Sequence, residues 1–175
     1  SGGTLGLELC RRVLKLGCKR LIIIDRYESY LNELVARLRN GMPDEMIVPV
    51  LSDTGKIDIL EDVFENYRPN LVFHAGMRKY LPFCAVDLGD IGQANYLRTF
   101  TLAKVAAKFQ CEFFVMISSR MAIQGGNFIN DSLRVAEVSL EHFFSDTHTR
   151  LVIARIGEIL ENRGGIVSII QEEIR

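Results

Sequence analysis

Five short runs rich in apolar and β-branched residues alternate with amphipathic helical stripes along the chain. This alternation limits the fold more than any other feature. The runs are Leu21–Asp25, Met46–Val50, Leu71–His74, Phe113–Ile117 and Leu151–Arg155. Between them, Leu5, Leu9, Val13 and Leu16 share one helical face, as do Tyr30, Leu31, Leu34, Val35 and Leu38. Asn40-Gly41-Met42-Pro43 stops the second of these stripes. Ile57, Leu60, Val63 and Phe64 line a helix from Ile57 to Tyr67, which Pro69 ends. Longer helices are expected from about Gly92 to Phe109 and from about Asp131 to Phe144, with a last helical stretch beginning at Gly165. Strands separated by helices cannot pair as hairpins. They form a parallel sheet joined by right-handed crossovers, with helices on both faces: a doubly wound α/β fold. No repeat, linker or low-complexity segment breaks the pattern, and residues 1–175 read as a single domain.

The bulk composition removes several function classes. A formal net charge of −1 gives no general field to attract nucleic acid or an anionic membrane. No apolar run approaches the length of a membrane span and no signal peptide is present, so a cytoplasmic location is expected. Cys10, Cys18, Cys84 and Cys111 are scattered without metal-ligand or redox spacing and read as buried thiols. His74, His142 and His148 are equally dispersed, and no metal site is expected.

The N-terminal stretch Ser1-Gly2-Gly3-Thr4-Leu5-Gly6 opens directly into a helical pattern, and Asp25 closes the next apolar run. The interval of roughly 20 residues is that between a dinucleotide-binding glycine turn and the acid that holds a ribose. Glycines let backbone N–H groups approach a pyrophosphate, and a helix N-terminus attracts its charge. A glycine turn used only for tight helix–strand packing is the plainer alternative. Arg26 beside the acid suits a 2′-phosphate, and equally a solvated surface position. Asp53, followed by Thr54, reads from the residues alone as a helix N-cap. In such folds the glycine turn follows the central strand of the sheet, and here nothing precedes Ser1. The expectation is therefore a fragment of a longer protein whose first strand lies outside the chain.

These stretches together resemble the extended short-chain dehydrogenase/reductase family. Within it the resemblance is to nucleotide-sugar dehydratases and epimerases, above all the UDP-N-acetylglucosamine 4,6-dehydratase branch of polysaccharide biosynthesis. It is carried by Gly2-Gly3-Thr4-Leu5-Gly6 with Glu8-Leu9-Cys10-Arg11, by Leu21–Asp25, by Val48-Pro49-Val50 through Asp53, and by Phe73-His74-Ala75-Gly76 with Lys79 and Pro82. It continues through Asn95, Phe114–Ser119, Arg155-Ile156-Gly157 and Arg163-Gly164-Gly165. The resemblance implies a Rossmann fold that binds NAD or NADP through Gly2, Gly3, Thr4, Leu5, Gly6, Asp25, Arg26, Asp53, Thr54, Ala75, Gly76, Lys79 and Asn95. It makes Asp53 an adenine contact and Asn95 a structural residue. It also implies a UDP-sugar ligand and a homodimer or larger homo-oligomer, formed by the helices near Gly92–Phe109 and Asp131–Phe144. Some relatives carry a membrane-anchored N-terminal part, which the intact protein would then share.

The departures fall on the chemistry. After Ser118-Ser119 the family continues with an acid and a lysine, where this chain has Arg120 and Met121. The family's Tyr (Met in some branches) and the Lys four residues later are replaced by Ile129 and Leu133. Neither Ile nor Leu moves a proton. Glu158 stands where the family uses an Asn near the substrate phosphate. Ser119 falls where the family bonds the sugar, although a strand-end serine commonly satisfies its own backbone. The expectation is an NAD(P)-binding, dehydratase-like domain of polysaccharide biosynthesis with a degenerate catalytic site, serving as a binding or regulatory partner of an active paralogue. An active enzyme using Arg120, Glu158 or Lys79 is an alternative, weakened because arginine is a poor proton donor. A structural or oligomerisation domain that binds no nucleotide is another.

Overall fold

A computed structural model describes residues 4–39, 43–76 and 88–157. All five expected strands form. The described elements run α1 (Thr4–Lys15), β1 (Leu21–Asp25), α2 (Glu28–Leu38), a 3₁₀ turn (Asp44–Met46), β2 (Ile47–Leu51), α3 (Ile57–Tyr67), β3 (Leu71–His74) and α4 (Leu88–Gly92). A π-helical turn (Gln93–Leu97) then leads into α5 (Arg98–Lys108), β4 (Phe113–Ser119), α6 (Met121–Gln124), α7 (Phe128–Phe144) and β5 (Arg150–Ile156).

Every strand pair is parallel, as the helical crossovers require. β1 pairs with β2 in a two-stranded sheet, and β3-β4-β5 form a three-stranded one. Among the described residues no strand precedes α1.

The chain falls into two compact units, one carrying the residues up to Asp53 and the other Thr54–Gly157. In the first, Cys10 and Leu14 of α1 meet Ile23 of β1, Ile47 of β2, and Leu31, Leu34, Val35 and Leu38 of α2. The stripe expected for α2 is therefore its buried face, except that Tyr30 is exposed. The stripe expected for α1 is displaced. Gly6, Cys10 and Leu14 are its buried residues, and Leu16 lies beyond the helix, 87% exposed. The small side chains of Gly6 and Cys10 bring this face close to its neighbours. The helix ends because Gly17 takes φ +82°, a left-handed conformation natural to glycine.

In the second unit β4 is central, with Phe114, Met116 and Ser118 buried and both neighbours parallel. α3 contributes Leu60, Val63 and Phe64, while Ile57 at its start stays exposed. Leu102, Ala103, Val105 and Ala106 of α5 and Ile129, Leu133, Ala136, Leu140 and Phe144 of α7 complete this core. Each large buried side chain contributes about 2 kcal/mol. The long helix expected over Gly92–Phe109 is interrupted by the π turn at Gln93–Leu97. The final helix expected from Gly165, and the Asn40-Gly41-Met42 part of the stop signal, lie outside the described residues.

Candidate functional site

In the first unit the expected cofactor residues lie at the start of α1 and at the C-terminal ends of the two strands. Thr4 and Leu5 open α1, and Gly6 is buried in its first turn. Gly2 and Gly3 lie outside the described residues. Asp25 ends β1 with its side chain nearly buried, and Oδ1 accepts the backbone N–H of Tyr27 at 2.9 Å. The backbone carbonyl of Asp25 accepts the N–H of Ser52 at 3.0 Å, which ties the β1 end to the β2 end. A carboxylate held this way at a strand end is an oriented acceptor, suited to ribose hydroxyls. Arg26 lays its guanidinium over the Tyr27 ring, 4.7 Å from the centroid, and Tyr27 meets Tyr30 edge to face. Asp53 follows β2 and is half-buried. It is not the cap of α3. That place belongs to Lys56, which makes no side-chain capping bond, because the turn at Thr54-Gly55 delays the helix to Ile57.

In the second unit Ala75 and Gly76 leave β3. A Cβ on Gly76 would sit 3.2 Å from His74 Cε1, so the chain passes the ring closely there. His74 is buried, its Nε2 shares a 2.7 Å hydrogen bond with Thr99 Oγ1, and its ring lies against Phe114. Burial pulls its pKa down to about 4, so the imidazole is neutral and structural. Asn95 is fully buried in the π turn, and its Nδ2 donates to Ser132 Oγ of α7 at 3.1 Å. Lys79 and Pro82 lie outside the described residues. The buried thiols Cys10 and Cys111 are pushed up to about 11, which leaves them protonated and unreactive, while Cys18 is half-buried.

The residues at the end of β4 do not assemble acid–base chemistry. Ser119 is buried, and its Oγ accepts the N–H of Met121 at 3.3 Å, the local backbone role. Arg120 is exposed, with its backbone N–H bonded to the Ile156 carbonyl across to β5. Ile129 and Leu133, where the resemblance places the Tyr and the Lys, are core residues at 6% and 1% exposure. Leu133 shares the buried face of α7 with Ala136, Leu140 and Phe144.

The same helix carries a charged centre that the sequence reading did not find. Glu137 is fully buried, and its carboxylate takes hydrogen bonds from three side chains. Ser118 Oγ donates to Oε1 at 2.6 Å, Arg155 Nη2 to Oε2 at 2.7 Å, and Arg134 Nη1 to Oε2 at 3.1 Å. Arg155 Nε also donates, completing a fork. Ser118 of β4 and Arg155 of β5 are register partners, which places both beneath one turn of α7. Burial works to raise the Glu137 pKa, but the bonds from Arg155, Ser118 and Arg134 outweigh it and hold the carboxyl below its usual range. The available signal was a carboxylate set in the apolar face Leu133-Ala136-Leu140. Arg134 and Arg155 then line a cavity of about 280 Å³ with Ala122, Ile123, Gly125 and Asp131.

Parallel strands joined by helical crossovers define an α/β fold of the doubly wound, Rossmann type. Comparison with solved structures agrees. Pen from Bacillus thuringiensis superposes with a TM-score of 0.85 over 99% of this chain and 52% of that one, at 24% identity. The enzyme WbmG from Bordetella bronchiseptica, solved in complex with NAD, superposes at 0.72 over 88% of this chain and 50% of that one, at 17% identity. The sequence model for the family described as "Polysaccharide biosynthesis protein" matches residues 1–175, and the chain belongs to that family. It is 26% identical over 99% of its length to the capsular polysaccharide biosynthesis protein CapD of Staphylococcus aureus, and spans 29% of that relative.

Proposed function

We propose that this chain is an NAD(P)-binding domain of the nucleotide-sugar dehydratase and epimerase kind whose catalytic positions have become packing residues. One observation carries the reading. Ile129 and Leu133 are buried in the core of α7, where the resemblance places proton-moving groups, while Asp25 is retained at the end of β1 and oriented by Tyr27. NAD or NADP would be held in the first unit by Thr4, Leu5 and Gly6 at the helix start, by Asp25 with Arg26, and by Asp53. When bound, the cofactor supplies hydride transfer. The described catalytic positions carry Ser119, Arg120, Met121, Ile129 and Leu133, which favours a binding role, while Lys79 and Glu158 lie outside the described residues.

A UDP-sugar is the matching ligand class, and polysaccharide precursor supply is the setting. We assign the domain to the cytoplasm. Among the described residues no helix is long and apolar enough to cross a membrane. The exposed apolar side chains Leu97, Val135 and Val138 on the π turn and α7 favour self-association through these helices.

The test is calorimetric titration with NAD and NADP, repeated on Asp25→Ala, beside a turnover assay on UDP-N-acetylglucosamine. One cofactor should bind in the micromolar range, about −8 kcal/mol, and the variant should bind at least about tenfold more weakly. The assay should give no 4,6-dehydrated product. Failure of both cofactors to bind overturns the binding half, and measurable dehydration overturns the degenerate-site half.

A further inference from the structure

Arg134 and Arg155 meet at Glu137 and turn their remaining donors toward a cavity, with the carboxylates of Asp131 and Glu141 also within electrostatic reach. Two guanidinium groups, Arg134 and Arg155, converge on one carboxylate that is itself fully buried. Glu137 is saturated by Ser118 Oγ, Arg155 Nε and Nη2, and Arg134 Nη1. The arginines are not. Arg155 Nη1 and Arg134 Nε and Nη2 have no acceptor among the described residues. Both side chains keep a solvent-facing side, 48% exposed for Arg134 and 34% for Arg155. Both line the cavity of about 280 Å³ whose other walls are Ala122, Ile123 and the Gly125 backbone. Asp131 stands on its rim, and among the described residues it forms no ion pair with either arginine.

We infer that this cavity is a binding site for the phosphoryl group of a small molecule. A guanidinium is a planar fork that matches tetrahedral oxyanions. The donors left over by Glu137 outnumber what a two-oxygen carboxylate accepts, whereas a phosphoryl group presents three charged or partly charged oxygens. The buried carboxylate supplies preorganisation. It fixes both guanidiniums before a ligand arrives, so little side-chain entropy remains to be lost on binding. The volume suits a small phosphomonoester, with the apolar side of the molecule against Ala122 and Ile123. The site lies wholly within the second unit, and it does not rest on cofactor binding at Asp25.

The test follows the Nε–Hε resonances of Arg134 and Arg155 in the full chain during titration with inorganic phosphate, with acetate as a parallel arm at constant ionic strength. Both resonances should move saturably with phosphate, with a Kd of a few millimolar, and acetate should give no saturation by about 20 mM. Arg134→Gln removes one fork while leaving the Glu137–Arg155 pair in place, and should weaken phosphate at least about fivefold with an unchanged far-UV circular dichroism spectrum. Asp131→Asn should tighten it. Absence of a saturable shift with phosphate, equal affinity for acetate, or unchanged affinity in Arg134→Gln overturns the assignment.

Discussion

A neutral histidine buried at the end of a strand links stability to pH, and His74 is such a residue. Its pKa is drawn from 6.5 to about 4 by burial, so between those values the unfolded chain binds a proton that the folded chain refuses. The stabilisation is complete above about pH 6.5 and is lost as pH falls toward 4. At about 1.4 kcal/mol per unit the loss amounts to roughly 3 kcal/mol. Urea denaturation across this range on the parent and on His74→Asn isolates it, because the Asn still offers Thr99 a polar partner. The parent should lose roughly 3 kcal/mol more than the variant; equal slopes would mean that the ring is not penalised by burial. Glu137 shows what single residues hide. Ile129 and Leu133 were legible as apolar from their identity alone. The partners of Glu137 come from Ser118 and Arg155, 19 and 18 residues away, and only the β4–β5 register brings them together.

At the scale of elements, all five strands were legible because strands covered on both faces must be apolar along their length. Helix ends were less so. α7 begins at Phe128 rather than near Asp131, because the Asn127 side chain accepts the N–H groups of Ile129 and Asn130 at 3.1 and 2.9 Å. That cap is hidden in a sequence of glycines and polar residues that reads as loop. Asn127→Ala should therefore cost about 1 kcal/mol in chemical denaturation, and Asn127→Asp, which keeps the acceptor, should restore most of it. The π turn at Gln93–Leu97 had no periodic signature, since one added residue shifts the stripe without erasing it. Its buried Asn95 reaches Ser132, so the turn adds a polar fastening to the contacts that α4 and α5 make with α7.

At the scale of the molecule, the parallel class of the sheet was legible and the resemblance pointed to the helices near Gly92–Phe109 and Asp131–Phe144 as an assembly surface, but which of their side chains stay exposed was not legible, because that depends on which faces the helices turn outward. Leu97, Val135 and Val138 are 56%, 52% and 45% exposed. Val135 and Val138 are three residues apart on α7, on one face. Tyr96, Phe100 and Phe143, together with Ser139, His142 and Asp146, line an open cavity between the π turn, α5 and α7. Apolar area grouped in this way is stabilised by burial against a second copy. Sedimentation equilibrium should then give twice the mass of the single chain at micromolar concentration. A glutamate placed in that face must be desolvated or must break the contact. Val138→Glu should therefore weaken the dimer at least about tenfold, or 1.4 kcal/mol, while the Tm of the isolated chain changes little because position 138 lies outside the core. A parent chain that sediments as a monomer at every concentration, or a variant that associates as well as the parent, would remove these helices as the assembly surface.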